Sequence, residues 1–378
     1  MKKIIVVGSG ILGASTAYHL ATSSQSEIEV TLIDAKHPGR ATDAAAGIIC
    51  PWLSQRRNQS WYRLAKAGAK YYAELTESLS QQGEHNTGYA KVGALSLHPD
   101  SAKIEQIYKR AEKRREDAPE IGDIQILNAA EVQERFPLLN EEYQAVYVSG
   151  AARVDGRALR DAMVSAAVRN GVIVKEGQAK LDTSEGRITG VTIDGEHLPA
   201  DEVVGCTGAW AKALFEPLGL EFDVTFQKGQ ILHLHTPAYP SSGNLPVVIP
   251  PTDQYLLSFD DGKMVIGATH ENDKSLSDIQ VTAGGMQEVL SKGLALAPGL
   301  EEAKVEEVRV GFRPFTPGFL PIIGRVPGWD NLITANGLGA SGLTMGPFLG
   351  RQLARLALDL QPELPLEDYA VEKALNAK

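Results

Sequence analysis

The sequence predicts an α/β protein, α+β overall, in which an N-terminal parallel sheet is joined to a second, mostly antiparallel sheet. Two observations predict this class. Near the N-terminus, a strand, a glycine-rich turn, a helix and a second strand follow one another directly. Further along, β-patterned segments lie far apart in the sequence. With 378 residues, of which 43% are hydrophobic, the chain is long enough for two domains.

The N-terminal unit has the Rossmann-like arrangement that binds a dinucleotide. Residues 4–7 are a β-branched run typical of a strand buried on both faces, and residues 14–22 predict a helix behind the glycine turn. Glycines permit the tight turn and the approach of the backbone to a pyrophosphate, which the positive helix end attracts. A second strand, residues 30–33, ends at an acidic residue about 20 positions after the turn, where a carboxylate accepts hydrogen bonds from ribose hydroxyls. The predicted contacts are Gly8, Gly10, Ile11, Leu12, Gly13, Asp34 and Ala35.

A stretch of small residues follows between Gly39 and Ile49. Its side chains are too small to build a core, so the chain can pass close to a bulky, flat ligand. The order of these segments resembles the D-amino acid oxidase family of FAD-dependent oxidoreductases, especially its glycine oxidase and D-amino acid dehydrogenase branches. The resemblance implies that the dinucleotide is FAD. The contacts predicted in this stretch are Thr42, Ala45, Ala46, Gly47 and Ile48.

The resemblance continues in the middle of the chain. Residues 154–156 cap a predicted helix, residues 157–170, which turns at Gly171 into the strand 172–174. In the family a backbone group soon afterwards meets the adenine, which implies a contact near Lys180; a plain packing role for this unit is the alternative. Residues 203–210 look like the second family fingerprint, with a cysteine where alanine is usual. The contacts implied there are Cys206, Thr207, Gly208 and Trp210.

The C-terminal part offers a third glycine turn. After the strand 332–335, residues 336–347 contain four glycines and open a helix that is predicted to run to about Leu360. Several amides and a positive helix end then meet at one point, which stabilises negative charge on the pyrimidine ring of a flavin. Some oxidase relatives have an arginine in this turn where this chain has Ala340, which brings the turn closer to the dehydrogenase branch. The FAD contacts implied in this part of the chain are Arg313, Gly337, Gly339, Ala340, Ser341, Gly342, Leu343 and Thr344.

Three residues are candidates for the substrate site. Relatives with an Arg-Pro pair at the position of Arg313 use its guanidinium to hold the substrate carboxylate in two parallel hydrogen bonds, a structural ion pair being the alternative. Tyr255, twelve residues before Gly267, resembles a tyrosine of the glycine oxidase pocket, although packing is an ordinary role for a sheet tyrosine. His270 follows the same hairpin and is a candidate for the pocket mouth. The implied chemistry is hydride transfer from the substrate to flavin N5 followed by hydrolysis of the imine, and it requires no histidine base.

Composition narrows the partners and the compartment. A formal net charge of −10 disfavours nucleic acid or anionic lipid as the main partner. The two cysteines, Cys50 and Cys206, lack metal-ligand spacing, so we expect no disulfide framework, no metal and a reducing cytoplasm. Neither matches the cysteine that ties flavin covalently in the sarcosine oxidase branch, so we expect FAD to be bound non-covalently. No run of about eighteen apolar residues occurs and a strand follows Met1 closely, so we expect neither a transmembrane segment nor a signal peptide.

The order of the segments predicts two interleaved domains with the pocket between them. We expect an FAD-binding domain built from residues 1–85, 151–222 and 313–378, and a substrate domain built from residues 86–150 and 223–312. The antiparallel sheet of the substrate domain would come from residues 93–97, 144–148, 225–235 and 254–267. The oligomeric state stays open, and a homo-oligomer is possible.

The function that the sequence favours is FAD-dependent oxidation of a small amine or amino acid of the glycine, sarcosine or D-amino acid type. An alternative keeps FAD and changes the substrate to a 2-hydroxy acid, since Arg313 would hold either carboxylate. A second alternative is a non-catalytic flavin-binding subunit that assembles with a partner. A third is an NAD-dependent dehydrogenase, which flavin absorbance in the purified protein would exclude.

Overall fold

A computed structural model describes residues 1–23 and 27–377 of the chain. Its helices are α1 (Ile11–Ala21), α2 (Gln59–Gln81), α3 (Ser101–Arg115), α4 (Ala129–Arg135), α5 (Gly156–Arg169), α6 (Ala211–Phe215), α7 (Ala283–Leu296) and α8 (Gly342–Ala357). Its strands are β1 (Lys2–Val7), β2 (Ile28–Asp34), β3 (Ile48–Ile49), β4 (Ala90–Lys91), β5 (Ala94–His98), β6 (Ile124–Leu127), β7 (Gln144–Val148), β8 (Ala152–Arg153), β9 (Ile173–Glu176), β10 (Lys180–Ser184), β11 (Arg187–Ile193), β12 (Glu196–Pro199), β13 (Glu202–Gly205), β14 (Leu220–Phe222), β15 (Thr225–His235), β16 (Val247–Ile249), β17 (Tyr255–Ser258), β18 (Lys263–Gly267), β19 (Lys304–Phe315), β20 (Ile322–Val326), β21 (Trp329–Asn336) and β22 (Leu375–Ala377).

The first large sheet has the order β20-β21-β13-β1-β2-β9. It is parallel from β21 to β9, and β20 is an antiparallel edge strand. The predicted N-terminal strand is β1, in which Ile4 and Val6 are fully buried. Helix α1 packs against α5 and α8. It begins at Ile11 instead of residue 14, because the chain becomes helical directly after Gly10 of the glycine turn.

The second large sheet has the order β19-β15-β18-β17-β16-β5-β7-β6 and is antiparallel except between β16 and β5. The four segments predicted for it all belong to it, and residues 254–267 form the hairpin β17–β18. In this hairpin Tyr255 lies directly opposite Gly267, and on the neighbouring pair of strands Gln227 lies opposite Arg313. The predicted substrate residues Arg313 and Tyr255 therefore lie in the same sheet, on β19 and β17, with β15 and β18 between them.

One strand crosses an expected domain boundary, and one helix ends slightly early, while the domain division itself stays a prediction. Strand β19 runs through the expected domain boundary between residues 312 and 313, because its pairing with β15 continues to Phe315. Helix α8 ends at Ala357, slightly before the predicted Leu360. Among the described residues, no helix is both long and apolar enough to span a membrane. Cys50 and Cys206 are free thiols.

Candidate functional site

A cavity of about 420 Å³ lies between the six-stranded sheet and one face of the eight-stranded sheet. Strands β1, β2, β13 and β21 all end at it, because the carboxyl ends of parallel strands meet at one edge of a sheet. Strands β15, β17 and β19 contribute residues on the opposite side. The lining therefore includes Asp34 from one sheet and Arg313 from the other.

Glycines lie beside the cavity where a side chain would not fit. Gly8 has a φ of +101°, in the left-handed region that favours glycine, and a Cβ on it would lie 2.4 Å from the carbonyl oxygen of Cys206. A Cβ on Gly13 would lie 1.7 Å from the carbonyl oxygen of Gly8, and one on Gly47 would lie 1.8 Å from that of Val154. At these three positions two backbone segments pack too closely for any side chain between them. The cavity beside the segments stays open for a ligand.

Two helices begin at the cavity without a side-chain cap. Gly10 precedes α1 and has no side chain, and Ser341 precedes α8 without a capping hydrogen bond. Thr42 Oγ1 accepts the Ile11 amide at 2.9 Å, and the remaining first-turn amides have no partner within the helix. The hydroxyl of Thr207, which lines the cavity, is buried and has no hydrogen-bond partner among the described residues. Uncapped helix ends and an orphaned hydroxyl fit a ligand rich in acceptors, such as the pyrophosphate of FAD.

Asp34 lies at the end of β2, where the sequence predicts the ribose-binding carboxylate. One carboxylate oxygen accepts the Ser9 amide at 2.5 Å. The other accepts the Lys36 amide at 2.5 Å and lies 3.3 Å from Arg40 Nη1. A carboxylate has about four acceptor positions, so these bonds fix its orientation and leave capacity for a ribose hydroxyl.

Arg313 lies at the opposite side of the cavity on β19. Its Nη1 donates to Gln227 Oε1 at 2.9 Å and to the carbonyl oxygen of Thr269 at 3.3 Å, and both acceptors are neutral. No carboxylate of the described residues lies within 4.0 Å of its charged nitrogens. The guanidinium therefore has no counter-ion in the part of the chain that the structure describes.

Tyr255 and His270 line the cavity near Arg313. Burial raises the pKa of Tyr255 to about 12, against the opposing effects of the Arg313 charge and of a hydrogen bond with it. Burial lowers the pKa of His270, the Arg313 charge lowers it further, and Asp253, 3.7 Å from His270 Nδ1, opposes the shift. Near pH 7 the tyrosine is protonated and the histidine is neutral, so neither adds charge to that of Arg313.

The cavity lining contains most residues predicted from the sequence, from all three glycine turns and from the substrate site. They are Gly8, Gly10, Ile11, Leu12, Asp34, Ala35, Thr42, Ala45, Ala46, Gly47, Ile48, Cys206, Thr207, Gly208, Trp210, Tyr255, His270, Arg313, Gly339, Ala340, Gly342, Leu343 and Thr344.

Four predicted residues lie outside this lining. Gly13 faces the Gly8 carbonyl, and a Cβ on Gly337 would lie 1.8 Å from Thr316 Oγ1, so both serve close packing behind the wall. Ser341 precedes α8 without contributing to the wall. Lys180 is exposed at the start of β10, and the wall near it is formed by residues 177–179. A role for Lys180 at the adenine stays a prediction.

Sequence motifs did not indicate several other lining residues. The His37 ring stacks on Trp210, with ring centroids 4.9 Å apart and planes inclined by 13°. The Phe312 ring meets the same Trp210 edge-on at 6.2 Å. His37 lies three residues after Asp34, so extending the N-terminal motif would have included it. Its pairing with Trp210 depends on the tertiary fold and has no local signal.

The thiols of Cys50 and Cys206 lie in different places, but burial raises the pKa of both. Cys206 lines the cavity, and Cys50 is outside the lining. Burial raises the pKa of each to about 12. Protonated thiols are poor nucleophiles near pH 7, which agrees with FAD held without a covalent bond to cysteine.

The fold and the cavity together have the features of a dinucleotide-binding protein, and comparisons with known proteins identify its family. Residues 3–356 match the model of the DAO family, described as FAD dependent oxidoreductase. The chain is 57% identical to the uncharacterized oxidoreductase YurR of Bacillus subtilis, over 99% of this chain and all of that protein. It is 29% identical to the glycine oxidase of Pseudomonas putida, over 99% of this chain and all of that enzyme.

A solved structure gives the same result. The iminodiacetate oxidase IdaA of Chelativorans sp. BNC1 superposes with a TM-score of 0.93 at 45% identity, covering 97% of this chain and 98% of that chain. The chain therefore belongs to the DAO family of FAD-dependent oxidoreductases, and it is an FAD-binding enzyme of mixed α/β fold.

Proposed function

We propose that this enzyme oxidises the carbon next to the nitrogen of a small amine or amino acid that carries a carboxylate. The observation that supports this most is the Arg313 guanidinium, which lines the cavity with only neutral hydrogen-bond acceptors among the described residues. A partly buried charge without a counter-ion is costly. A substrate carboxylate would supply the missing partner in two parallel hydrogen bonds.

In this proposal the protein contributes orientation more than proton transfer. Arg313 would hold the carboxylate and thereby fix the position of the neighbouring carbon. Bound FAD would supply the redox chemistry, as the acceptor of the hydride lost from that carbon. Tyr255 and His270, both uncharged near pH 7, would line the site beside the amine. The substrate leaves as an imine, which water hydrolyses to a carbonyl compound and ammonia or a smaller amine.

The names of two relatives support a narrower proposal for the substrate. Glycine and iminodiacetate, the substrates in the names of two relatives, both carry a carboxymethyl group on nitrogen. We therefore propose an N-carboxymethyl amine, such as glycine, sarcosine or iminodiacetate, as the substrate. D-Amino acids are the second class to test, because the same guanidinium would hold their carboxylate.

The test is reduction of the FAD-replete protein in the absence of oxygen. Glycine, sarcosine, iminodiacetate, proline and D-alanine are each added, with glycolate as the matched hydroxy acid, and the visible flavin absorbance is followed. We expect bleaching by at least one N-carboxymethyl amine, with glyoxylate among the products, and no bleaching by glycolate. Bleaching by glycolate alone would favour the 2-hydroxy acid alternative, and no bleaching by any compound would favour a non-catalytic subunit.

Two further parts of the proposal concern organisation and location. We propose the division into an FAD-binding domain and a substrate domain with the last boundary after Phe315, where β19 ends. We also propose a cytoplasmic location, which agrees with the two free thiols.

A further inference from the structure

On the face of the eight-stranded sheet that lines the cavity, the polar side chains lie against glycine residues of neighbouring strands. Gly229 is inside β15, opposite Gly311 of β19, and Gly267 ends β18, opposite Tyr255 of β17. Glycine inside a strand weakens it, and it commonly marks a place where another group approaches the backbone closely. The groups that approach here are the predicted substrate-binding side chains.

The distances at Gly229 identify that group as the Arg313 guanidinium. A Cβ on Gly229 would lie 2.7 Å from Nη2 of Arg313, 2.9 Å from Cζ and 3.3 Å from Nη1. Contact with three atoms of one planar group means that the guanidinium lies across β15 directly over Gly229. At Gly267 a Cβ would lie 2.7 Å from the hydroxyl oxygen of Tyr255. Both side chains therefore rest on backbone that carries no side chain of its own.

The remaining contacts of the guanidinium fix one of its edges. Nη1 donates both to Gln227 Oε1 and to the Thr269 carbonyl oxygen. Nη2 is the atom nearest to the position of a Cβ on Gly229. A side chain at position 229 would therefore displace the Nη2 edge and leave the Gln227 side of the fork in place.

We propose that Gly229 is a positioning residue for substrate binding, and that its missing Cβ sets the height and tilt at which Arg313 meets a carboxylate. A bidentate pair depends on the orientation of both planar groups, so a small displacement of the fork weakens it. This inference rests on the proposed function, because it assigns Arg313 to the substrate carboxylate. It adds that the orientation of Arg313 is set by the adjacent strand β15.

The test substitution is Gly229→Ala in the FAD-replete enzyme. The φ of Gly229 is outside the left-handed region, so alanine is compatible with the backbone, and the three atoms nearest to the added Cβ all belong to the end of a flexible side chain. We expect KM for a carboxylated amine to rise about tenfold or more, with kcat changed less than about threefold and FAD content unchanged. Gly284→Ala in α7 is the matched control, because a Cβ there meets nothing within 4 Å.

A double substitution separates positioning from general damage. If Gly229 acts only through Arg313, Gly229→Ala adds no further rise in KM when Arg313 is already leucine. If Gly229→Ala raised KM by the same factor in the Arg313→Leu protein as in the wild type, the proposal would be overturned. Loss of FAD or an equal fall in kcat for Gly229→Ala would also overturn it, because the glycine would then have a structural role.

Acetate binding distinguishes this inference from the proposed function. Acetate is titrated into the oxidised, FAD-replete proteins, and the perturbation of the flavin spectrum gives its Kd without any turnover. We expect acetate to bind the wild type and Gly284→Ala alike and to bind Gly229→Ala about tenfold more weakly. Equal Kd values for wild type and Gly229→Ala would refute the positioning role. If acetate binds as expected while no amine bleaches the flavin, the substrate proposal fails and the positioning role stands.

Discussion

The two sides of the cavity are built in opposite ways. On the side that belongs to the six-stranded sheet, glycines let backbone segments pack closely, and a Cβ on Gly8 or Gly47 would overlap a carbonyl group. The side that belongs to the eight-stranded sheet presents the polar side chains of Arg313 and Tyr255, which come from different strands. Where backbone segments are closely packed, one added methyl group forces them apart. Where a side chain makes the contact, a substitution weakens binding by the strength of that contact alone. Substitutions on the first side should therefore remove FAD, and substitutions on the second should change substrate binding.

The largest effect is expected on the glycine side. Gly8→Ala places a methyl group 2.4 Å from the Cys206 carbonyl oxygen and forces alanine to a φ of +101°. We expect loss of bound FAD, measured as the ratio of flavin to protein absorbance. Gly171→Ala is the matched control, because Gly171 has a φ of +95° and nothing within 4 Å of its Cβ position. The control should show only the cost of the φ value, about 1–3 kcal/mol of unfolding free energy, and keep its FAD. Full FAD content in Gly8→Ala would contradict the comparison.

A smaller and selective effect is expected for Arg313→Leu. Because the substitution removes a charge-assisted pair worth about 1.5–3 kcal/mol, KM for carboxylated amines should rise roughly 10- to 100-fold while FAD content is kept. Steady-state kinetics measure this. Arg309→Leu on the same strand is the control, because Arg309 pairs with Glu307 at 2.8 Å and lies outside the cavity lining. Equal kinetics for Arg313→Leu and wild type would remove Arg313 from the site.

Tyr255→Phe should have a modest effect. The hydroxyl contributes a hydrogen bond beside Arg313, and loss of one such bond is worth about 1 kcal/mol, which corresponds to roughly a fivefold fall in kcat/KM. Tyr147→Phe on β7 of the same sheet is the control, since Tyr147 is outside the cavity lining. A fall of more than about a hundredfold for Tyr255→Phe would assign the hydroxyl a catalytic role that orientation alone does not explain.

The smallest effect is expected for His270→Asn. Burial and the Arg313 charge lower the pKa of His270, and the pKa of Tyr255 is about 12, so neither group changes its protonation between pH 7 and 10. In that range kcat/KM should rise about tenfold per pH unit until the substrate amine has lost its own proton, since the neutral amine reacts. His270→Asn should keep this rise and lower kcat less than about threefold, whereas loss of a general base costs about 100-fold or more.

The measurement is kcat/KM against pH for the wild type and for His270→Asn. Disappearance of the rise in His270→Asn would mean that the histidine, and not the substrate amine, sets the pH dependence.

The same contrast explains what the sequence predicts well. The glycine side of the cavity was predictable because each glycine turn is local and directly follows a strand. Gly8, Gly208 and Gly339 all line the cavity, and their contacts with FAD stay predictions. The substrate side was predictable only through family resemblance, because Arg313 and Tyr255 are brought together by the register of separate strands. The stacking of His37 on Trp210 has no local signal.

The domain boundary expected between residues 312 and 313 is another example, because strand pairing across the sheet has no local signal in the sequence. The pairing of β19 with β15 continues to Phe315. The proline after Arg313 would end a central strand, but β19 is at the edge of its sheet, where a proline is tolerated.

The most direct test of the account is a crystal structure of the FAD-replete enzyme with acetate. The account predicts FAD in the cavity between the two sheets, and the acetate carboxylate in two hydrogen bonds of about 2.7–2.9 Å with the Arg313 guanidinium above Gly229. Acetate bound elsewhere, with Arg313 still bonded to Gln227 and the Thr269 carbonyl and to no carboxylate, would contradict it.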